Sequence, residues 1–244
     1  MSGVWINDDL VRWSVGGVSA SRDDAVAALA DRPLLVMMHG YGSFEGDLIE
    51  LAPKLPGAFV CASPRAPLTA PPPVVNGFAW FQIPFGADGL PVPQTSPTDF
   101  VGSDPHAAAL AMLQWLDELD AQVDGGLGTQ VLMGFSQGGA MVTSMLRLQP
   151  ERFACGVNCS GFVIPGTFSG DAHLAEIRPP LFWGRDAADP IISAERVAFT
   201  SEWLPAHTEL DARLYPGIAH GISLEEVADI SAFITRHVDV SGGR

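Results

Sequence analysis

Apolar runs of four to six residues recur along the chain at 33–38, 57–62, 130–135, 155–160, 181–184 and 212–215. They are too short for helices and read as strands buried on both faces. Between them apolar residues return at helical spacing. The clearest helix starts at Asp104-Pro105, read as an N-cap followed by proline, and carries Leu110, Leu113, Leu116 and Leu119 before Gly125-Gly126. Another starts at Ser223, with Glu226 three residues on as a capping box and Val227, Ile230 and Ile234 along one face. Two short alternating segments, 4–7 and 10–15, flank Asp8-Asp9 and suggest an opening antiparallel pair. Strand and helix in such alternation predict an α/β fold, a mostly parallel central sheet with helices on both faces.

Residues 64–98 break the rhythm. They hold Pro71-Pro72-Pro73 and the aromatics Phe78, Trp80, Phe81 and Phe85, with little periodicity. A long loop inside a compact domain tends to be functional, and prolines stiffen it. No linker or repeat divides the chain, so residues 1–238 are expected to form a single domain, with 239–244 as a flexible C-terminal tail.

The 244 residues are 47% hydrophobic and 17% charged, which excludes a disordered chain. Acidic residues outnumber basic ones 28 to 13, for a formal charge of −15. That balance argues against nucleic acid, whose phosphates need clustered Lys and Arg, and against anionic lipid surfaces. The three cysteines, Cys61, Cys155 and Cys159, form no C-x-x-C pair and read as small buried hydrophobes. No signal peptide or apolar span is evident, so a soluble, cytoplasmic protein is expected, without integral membrane association. The composition does not speak to oligomeric state.

The candidate chemistry centres on Gly134-Phe-Ser136-Gln-Gly138, between a strand and a helix-compatible run. A serine on so sharp a turn needs small residues two before and two after, and its hydroxyl then stands clear of the sheet. It also needs a base, and the base an orienting carboxylate. Of six histidines, His220 lies in the loop after the last strand, at the sheet edge where reacting groups gather. His39 reads as a brace for its loop. Two acids are open in the loop after 181–184, Asp186 and Asp189. Asp189, leading directly into Pro-Ile-Ile, is preferred, and the order Ser, Asp, His suits such a sheet. Backbone N–H groups for a developing oxyanion are expected from Gln137 and from Tyr41 in His39-Gly-Tyr-Gly. Met141 and Met145 read as core.

In order, His39-Gly-Tyr-Gly, Ser63-Pro-Arg-Ala-Pro, Gly77-Phe-Ala-Trp80-Phe81, Gly134-Phe-Ser-Gln-Gly-Gly, Asp189-Pro-Ile-Ile and Gly217-Ile-Ala-His220 make the chain resemble the phospholipase/carboxylesterase family of α/β-hydrolases, which includes acyl-protein thioesterases. The resemblance implies an α/β-hydrolase fold and a metal-free, cofactor-free serine hydrolase acting on small-molecule carboxylic esters or thioesters. It puts Ser136, Asp189 and His220 in the triad positions and Tyr41 and Gln137 in the oxyanion hole. Trp80, with Phe81, falls at the aromatic position beside the cleft and is expected to bind substrate. Tyr-Gly-Ser stands where thioesterases tend toward Leu-Gly-Asp, and the acid loop is longer. These departures favour a short-to-medium acyl carboxylesterase over an acyl-protein thioesterase, with a lysophospholipase or acyl thioesterase as the alternative; a non-catalytic binding module on the same fold is disfavoured because the whole triad is available in order. About 50 residues separate Ser136 from Asp189, too few for a separate cap domain. The proline-rich loop is left to roof the site.

Overall fold

The computed structural model describes residues 4–84, 86 and 99–238. Ten strands and six helices follow in chain order: β1 (Arg12–Val15), β2 (Val18–Ala20), α1 (Arg22–Ala28), β3 (Leu34–Met38), β4 (Val60–Ser63), β5 (Leu68–Thr69), β6 (Phe78–Ala79), α2 (Asp104–Asp120), β7 (Gln130–Phe135), α3 (Gln137–Leu148), β8 (Cys155–Cys159), α4 (Asp171–Ile177), β9 (Pro180–Arg185), α5 (Ala194–His207), β10 (Glu209–Leu214) and α6 (Leu224–His237). Eight strands form one sheet in the order β10-β9-β8-β7-β3-β4-β1-β2, and β5 and β6 make a separate hairpin. The sheet is parallel from β10 to β4 and antiparallel at β4–β1 and β1–β2.

Period-two alternation divides the core into two layers. Leu34, Val36 and Met38 face one side, with Met112 and Leu116 of α2, Met141 and Met145 of α3, and Leu204 of α5. Leu35 and Met37 face the other, against Leu48 and Ala52 of a 3-10 turn and Val227, Ile230, Phe233 and Ile234 of α6. All three cysteines lie free in this second layer. Burial pushes the Cys61 and Cys155 thiols up to about 12. Between β7 and β9 the chain folds only α3, β8, α4 and a short 3-10 turn, so no cap is inserted there. Among the described residues no helix is long and apolar enough to cross a membrane.

Four sequence expectations need correction. The opening pair is not 4–7 with 10–15. The partner of β1 is β2, through Gly16 and Gly17 at φ +59° and +82°, while Asn7 caps a 3-10 turn at Asp8–Leu10. Two glycines of positive φ suit the primed turns that match strand twist. The N-cap of α2 is Ser103, not Asp104. An edge position lets β10 start earlier than its apolar run, because only alternate residues need burial. The first half of the 64–98 stretch is not structureless but carries the β5–β6 hairpin. Phe85, residues 87–98 and the tail 239–244 lie outside the described residues.

Candidate active site

The turn from β7 into α3 places Ser136 at φ +53° and ψ −111°, a strained conformation for a residue with a side chain. Its N–H donates to the Cys159 carbonyl at 2.8 Å, which ties the turn to the end of β8. A Cβ on Gly134 would lie 2.1 Å from the Gly138 oxygen, and one on Gly138 only 1.8 Å from the Met38 oxygen. Strand and helix can therefore meet only with glycine at both positions.

His220 approaches from the loop between β10 and α6, its ring 4.9 Å from that of Phe135. Its Nδ1 is 2.7 Å from Asp189 Oδ2, and its Nε2 is 2.9 Å from Ser136 Oγ. With the Nδ1 proton donated to the carboxylate, Nε2 is left to accept the Ser136 hydroxyl proton. Asp189 is held in turn, since its Oδ1 accepts the N–H groups of Ile191 and Ile192 at 2.8 and 3.1 Å. Side-chain exposure is 15% for His220 and 3% for Asp189.

Asp186, the alternative acid, faces elsewhere. Its Oδ1 accepts the Ala188 N–H at 2.9 Å and its Oδ2 those of Gly217 and Ala219, both at 2.8 Å. These amides, Ala188 and Ala219 foremost, hold its carboxyl below the usual value. Asp186 thus pins the loop that carries His220, a role that loop position alone did not reveal.

Across the turn, the loop after β3 brings up Tyr41. Gly40 packs on the Phe135 ring, where a Cβ would sit 3.0 Å from Cδ1. Buried His39 braces the loop as expected. Its Nδ1 lies 2.8 Å from the Gly40 oxygen, and its Nε2 accepts the Ala66 N–H at 3.1 Å. Burial lowers its pKa, so the ring is neutral at neutral pH. The Gln137 side chain, which the sequence did not single out, accepts the Trp80 N–H at 2.9 Å and donates to the Phe81 oxygen at 2.6 Å.

The expectation that Trp80 and Phe81 line the cleft does not hold for their side chains. Both are buried, at 1% and 5% exposure, within the first core layer. The Trp80 indole donates to the His39 carbonyl at 2.8 Å and packs on the His39 ring. These contacts fasten the proline-rich segment beneath the loop. The open surface beside Tyr41 is instead a groove of about 710 Å³ lined by Phe44, Arg65, Val75 and Phe78. Arg65 is held bidentately by Glu45 and lies over the Phe78 ring, so its charge is already matched. The remaining histidines serve structure: His106 Nδ1 accepts the Gly102 N–H, His173 lies beside Glu151, His207 stacks on Trp203, and His237 packs on Phe233.

A family model described as Phospholipase/Carboxylesterase matches residues 25–238. A "Probable carboxylesterase" of Oryza sativa subsp. japonica is 26% identical over 171 residues, 67% of this chain and 59% of that protein. A second plant relative, from Arabidopsis thaliana, is matched over 60% of its length, so the chain spans about three fifths of these two relatives. An acyl-protein thioesterase 1 of Candida albicans is 28% identical over 241 residues, covering 91% of this chain and 99% of the relative. Among solved structures, a carboxylesterase from Mesorhizobium loti superposes with a TM-score of 0.68 at 19% identity, over 94% of this chain and 97% of its own. The Bacillus cereus carboxylesterase superposes at 0.67 and 19%, over 93% and 94%. The chain belongs to the phospholipase/carboxylesterase family and has the α/β-hydrolase fold.

Proposed function

We propose that this family member is a serine carboxylesterase, one domain over residues 1–238, hydrolysing uncharged carboxylic esters of short-to-medium acyl chain. The observation that carries the reading is the unbroken relay from Ser136 Oγ through His220 to Asp189. Ser136 Oγ attacks the ester carbonyl while His220 Nε2 takes its proton. The tetrahedral oxyanion is met by the backbone N–H groups of Tyr41 and Gln137. His220 then protonates the departing alkoxide, leaving an acyl-enzyme. Water, deprotonated by the same imidazole, releases the acid and restores Ser136. Asp189 holds the imidazole tautomer and stabilises the imidazolium that forms at each half-reaction.

The substrate class rests on the groove beside Tyr41. Phe44, Val75 and Phe78 give it apolar walls beside the neutral polar groups of Ser43 and Asn76, and its guanidinium, Arg65, is neutralised by Glu45. The chain charge of −15 disfavours anionic substrates through like-charge repulsion. The three free thiols fit a reducing compartment, and we place the protein in the cytoplasm. An acyl-protein thioesterase is the second reading, favoured by the near-full-length match to the Candida albicans relative.

Hydrolysis of nitrophenyl esters from two to sixteen carbons, against matched thioesters, separates the two readings. Esters of eight carbons or fewer are expected to be preferred, and a preference for long-chain thioesters selects the second reading. Ser136→Ala is expected to lower kcat by on the order of 10⁴-fold or more with the fold unchanged. Activity within tenfold of wild type would rule out Ser136 as nucleophile.

A further inference from the structure

Beneath the nucleophile and the base sits a carboxyl group that the relay does not use. Glu226, in the first turn of α6, is wholly buried. Its backbone N–H is capped by Ser223, while its carboxyl oxygens have only loose partners, the Ser223 N–H and the Cys159 thiol, neither at ordinary hydrogen-bond geometry. The carboxyl lies on the bare Cα of Gly184, where a Cβ would stand 2.2 Å from Oε1. A buried polar group so weakly partnered is costly, and a buried charge more so.

Its position gives that cost a consequence. Gly184 is paired with Cys159 at the ends of β9 and β8. The Gly184 oxygen accepts the Ser160 N–H at 2.7 Å, and the Cys159 oxygen accepts the Ser136 N–H at 2.8 Å. Ser160, at φ +48°, donates from its hydroxyl to the Gly221 oxygen at 3.2 Å, one residue past His220. The nucleophile and the base therefore hang from one short chain of backbone contacts, and Glu226 occupies its centre.

We propose that Glu226 is a positioning residue for the Ser136–His220 pair and acts in its uncharged form, filling the space over Gly184 that fixes the ends of β8 and β9. Ionisation places an unmatched charge there and displaces those strand ends, and with them the Ser136–His220 contact. Among the described residues no cation faces it. The Cys159 thiol of β8 and the Ser223 N–H lean toward the charged form, but burial outweighs them, and the thiol is itself pushed up by burial and by Glu226. Asp229 lies one turn along α6 and accepts from the hydroxyl of Tyr215. Arg213 of β10 is bound to Asp211 and Asp229, and Arg185 of β9 donates to the Asp186 carbonyl. Glu50 and Lys54 of the 3-10 turn packed on α6 are exposed. In keeping with this, burial raises the Glu226 pKa to about 7.

The proposal rests on the esterase reading, and kcat for a short-chain nitrophenyl ester from pH 5.5 to 9.5 tests it. In the wild type kcat is expected to rise on an acid limb to a plateau and then to fall roughly tenfold on an alkaline limb, the scale of a small misplacement of reacting groups. Glu226→Gln, a neutral isostere, is expected to keep the acid limb, hold the plateau within about twofold to pH 9.5 and leave KM unchanged. Glu226→Met serves the same purpose if the glutamine variant does not fold. Three results overturn the proposal: a wild-type profile without an alkaline limb, a limb that survives in the neutral variants, or a variant slowed at high pH, which would mean that the charge itself is used. If the wild type hydrolyses no ester at any pH, it is the esterase reading that fails.

Discussion

The loop that carries His220, the proposed base, and the loop that carries Tyr41, the proposed oxyanion donor, reach Ser136 from opposite sides, and each is held by one polar side chain hydrogen-bonded to the backbone. On the base side the side chain is ionised. Asp186 gathers the amides of Ala188, Gly217 and Ala219, drawing the loop that carries Asp189 and the loop that carries His220 onto one carboxylate. On the oxyanion side it is neutral. His39 lies within the core, bonded to Gly40 and Ala66, with the Trp80 indole fixing its carbonyl. Both side chains are buried, so the difference lies in their partners. Three amide donors match the Asp186 charge, whereas His39 meets one N–H and one carbonyl, a pairing that suits a neutral ring. Each brace should therefore fail in its own way when its partner atoms or its protonation change.

The two aspartates of the base side give the largest expected contrast. Asp189→Asn presents an amide N–H to Nδ1 of His220, which stabilises the wrong tautomer and leaves Nε2 protonated. A loss of about 10⁴-fold in kcat is expected, with little change in thermal stability. Asp186→Asn removes one of the acceptors that pin the His220 loop without touching the imidazole. It is expected to lower kcat by roughly 10²-fold and to lower the melting temperature as well. Steady-state kinetics and thermal denaturation of both variants check this. A thermally unchanged Asp186→Asn, or a larger kinetic loss than for Asp189→Asn, would mean that the roles of the two acids are reversed.

On the oxyanion side a single atom is the sharper probe. Trp80→Phe keeps the ring in the core but deletes the indole N–H, leaving the buried His39 carbonyl unpaired. About 1–3 kcal/mol of stability should be lost, measured by denaturant unfolding, while kcat falls less than tenfold. A change below ~0.5 kcal/mol would show that the indole does not hold the loop.

The same contrast explains what could be read from the chain beforehand. Strands β3, β7, β8 and β9 were legible because burial on both faces leaves unbroken apolar runs. Ser136 and His220 were legible because steric need imposes glycine around the first and sheet topology places the second. Helices α1, α4 and α5 went unread, for α5 buries only Thr200 and Leu204 and its apolar stripe is faint. The braces were harder still. Asp186 was weighed as the acid because a carboxylate accepting amides and one facing an imidazole look alike in sequence. Trp80 was placed at the cleft because an aromatic beside a motif does not reveal which way its ring points. Gln137 was chosen for its backbone alone, although its side chain grips Trp80 and Phe81. Which atoms a polar side chain satisfies depends on distant segments, and only the fold brings those together.

The smallest expected effect is in the pH dependence of stability, where the two braces should separate by window. Burial holds His39 below the ordinary imidazole value of 6.5, so the unfolded chain binds its proton first as pH falls. Its contribution is complete above 6.5 and is lost as pH drops through the lowered value. The Asp186 carboxyl is held below 3.8, so its contribution is present above that value and is lost only as pH falls further. Glu226 acts in the opposite sense across the first window. Its value is raised from 4.5 to about 7, so stability falls as pH rises between those two. Unfolding free energies are therefore compared between pH 7.5 and 5 in a Glu226→Gln background, with and without His39→Gln. With His39 present, stability should fall on acidification with a slope below one proton, at most about 1.4 kcal/mol per pH unit. With His39→Gln the slope should be shallower, while below pH 4 both proteins should lose the Asp186 contribution alike. Equal slopes above pH 5 would show that His39 titrates as it does in the unfolded chain, and the contrast between a charged and a neutral brace would not stand.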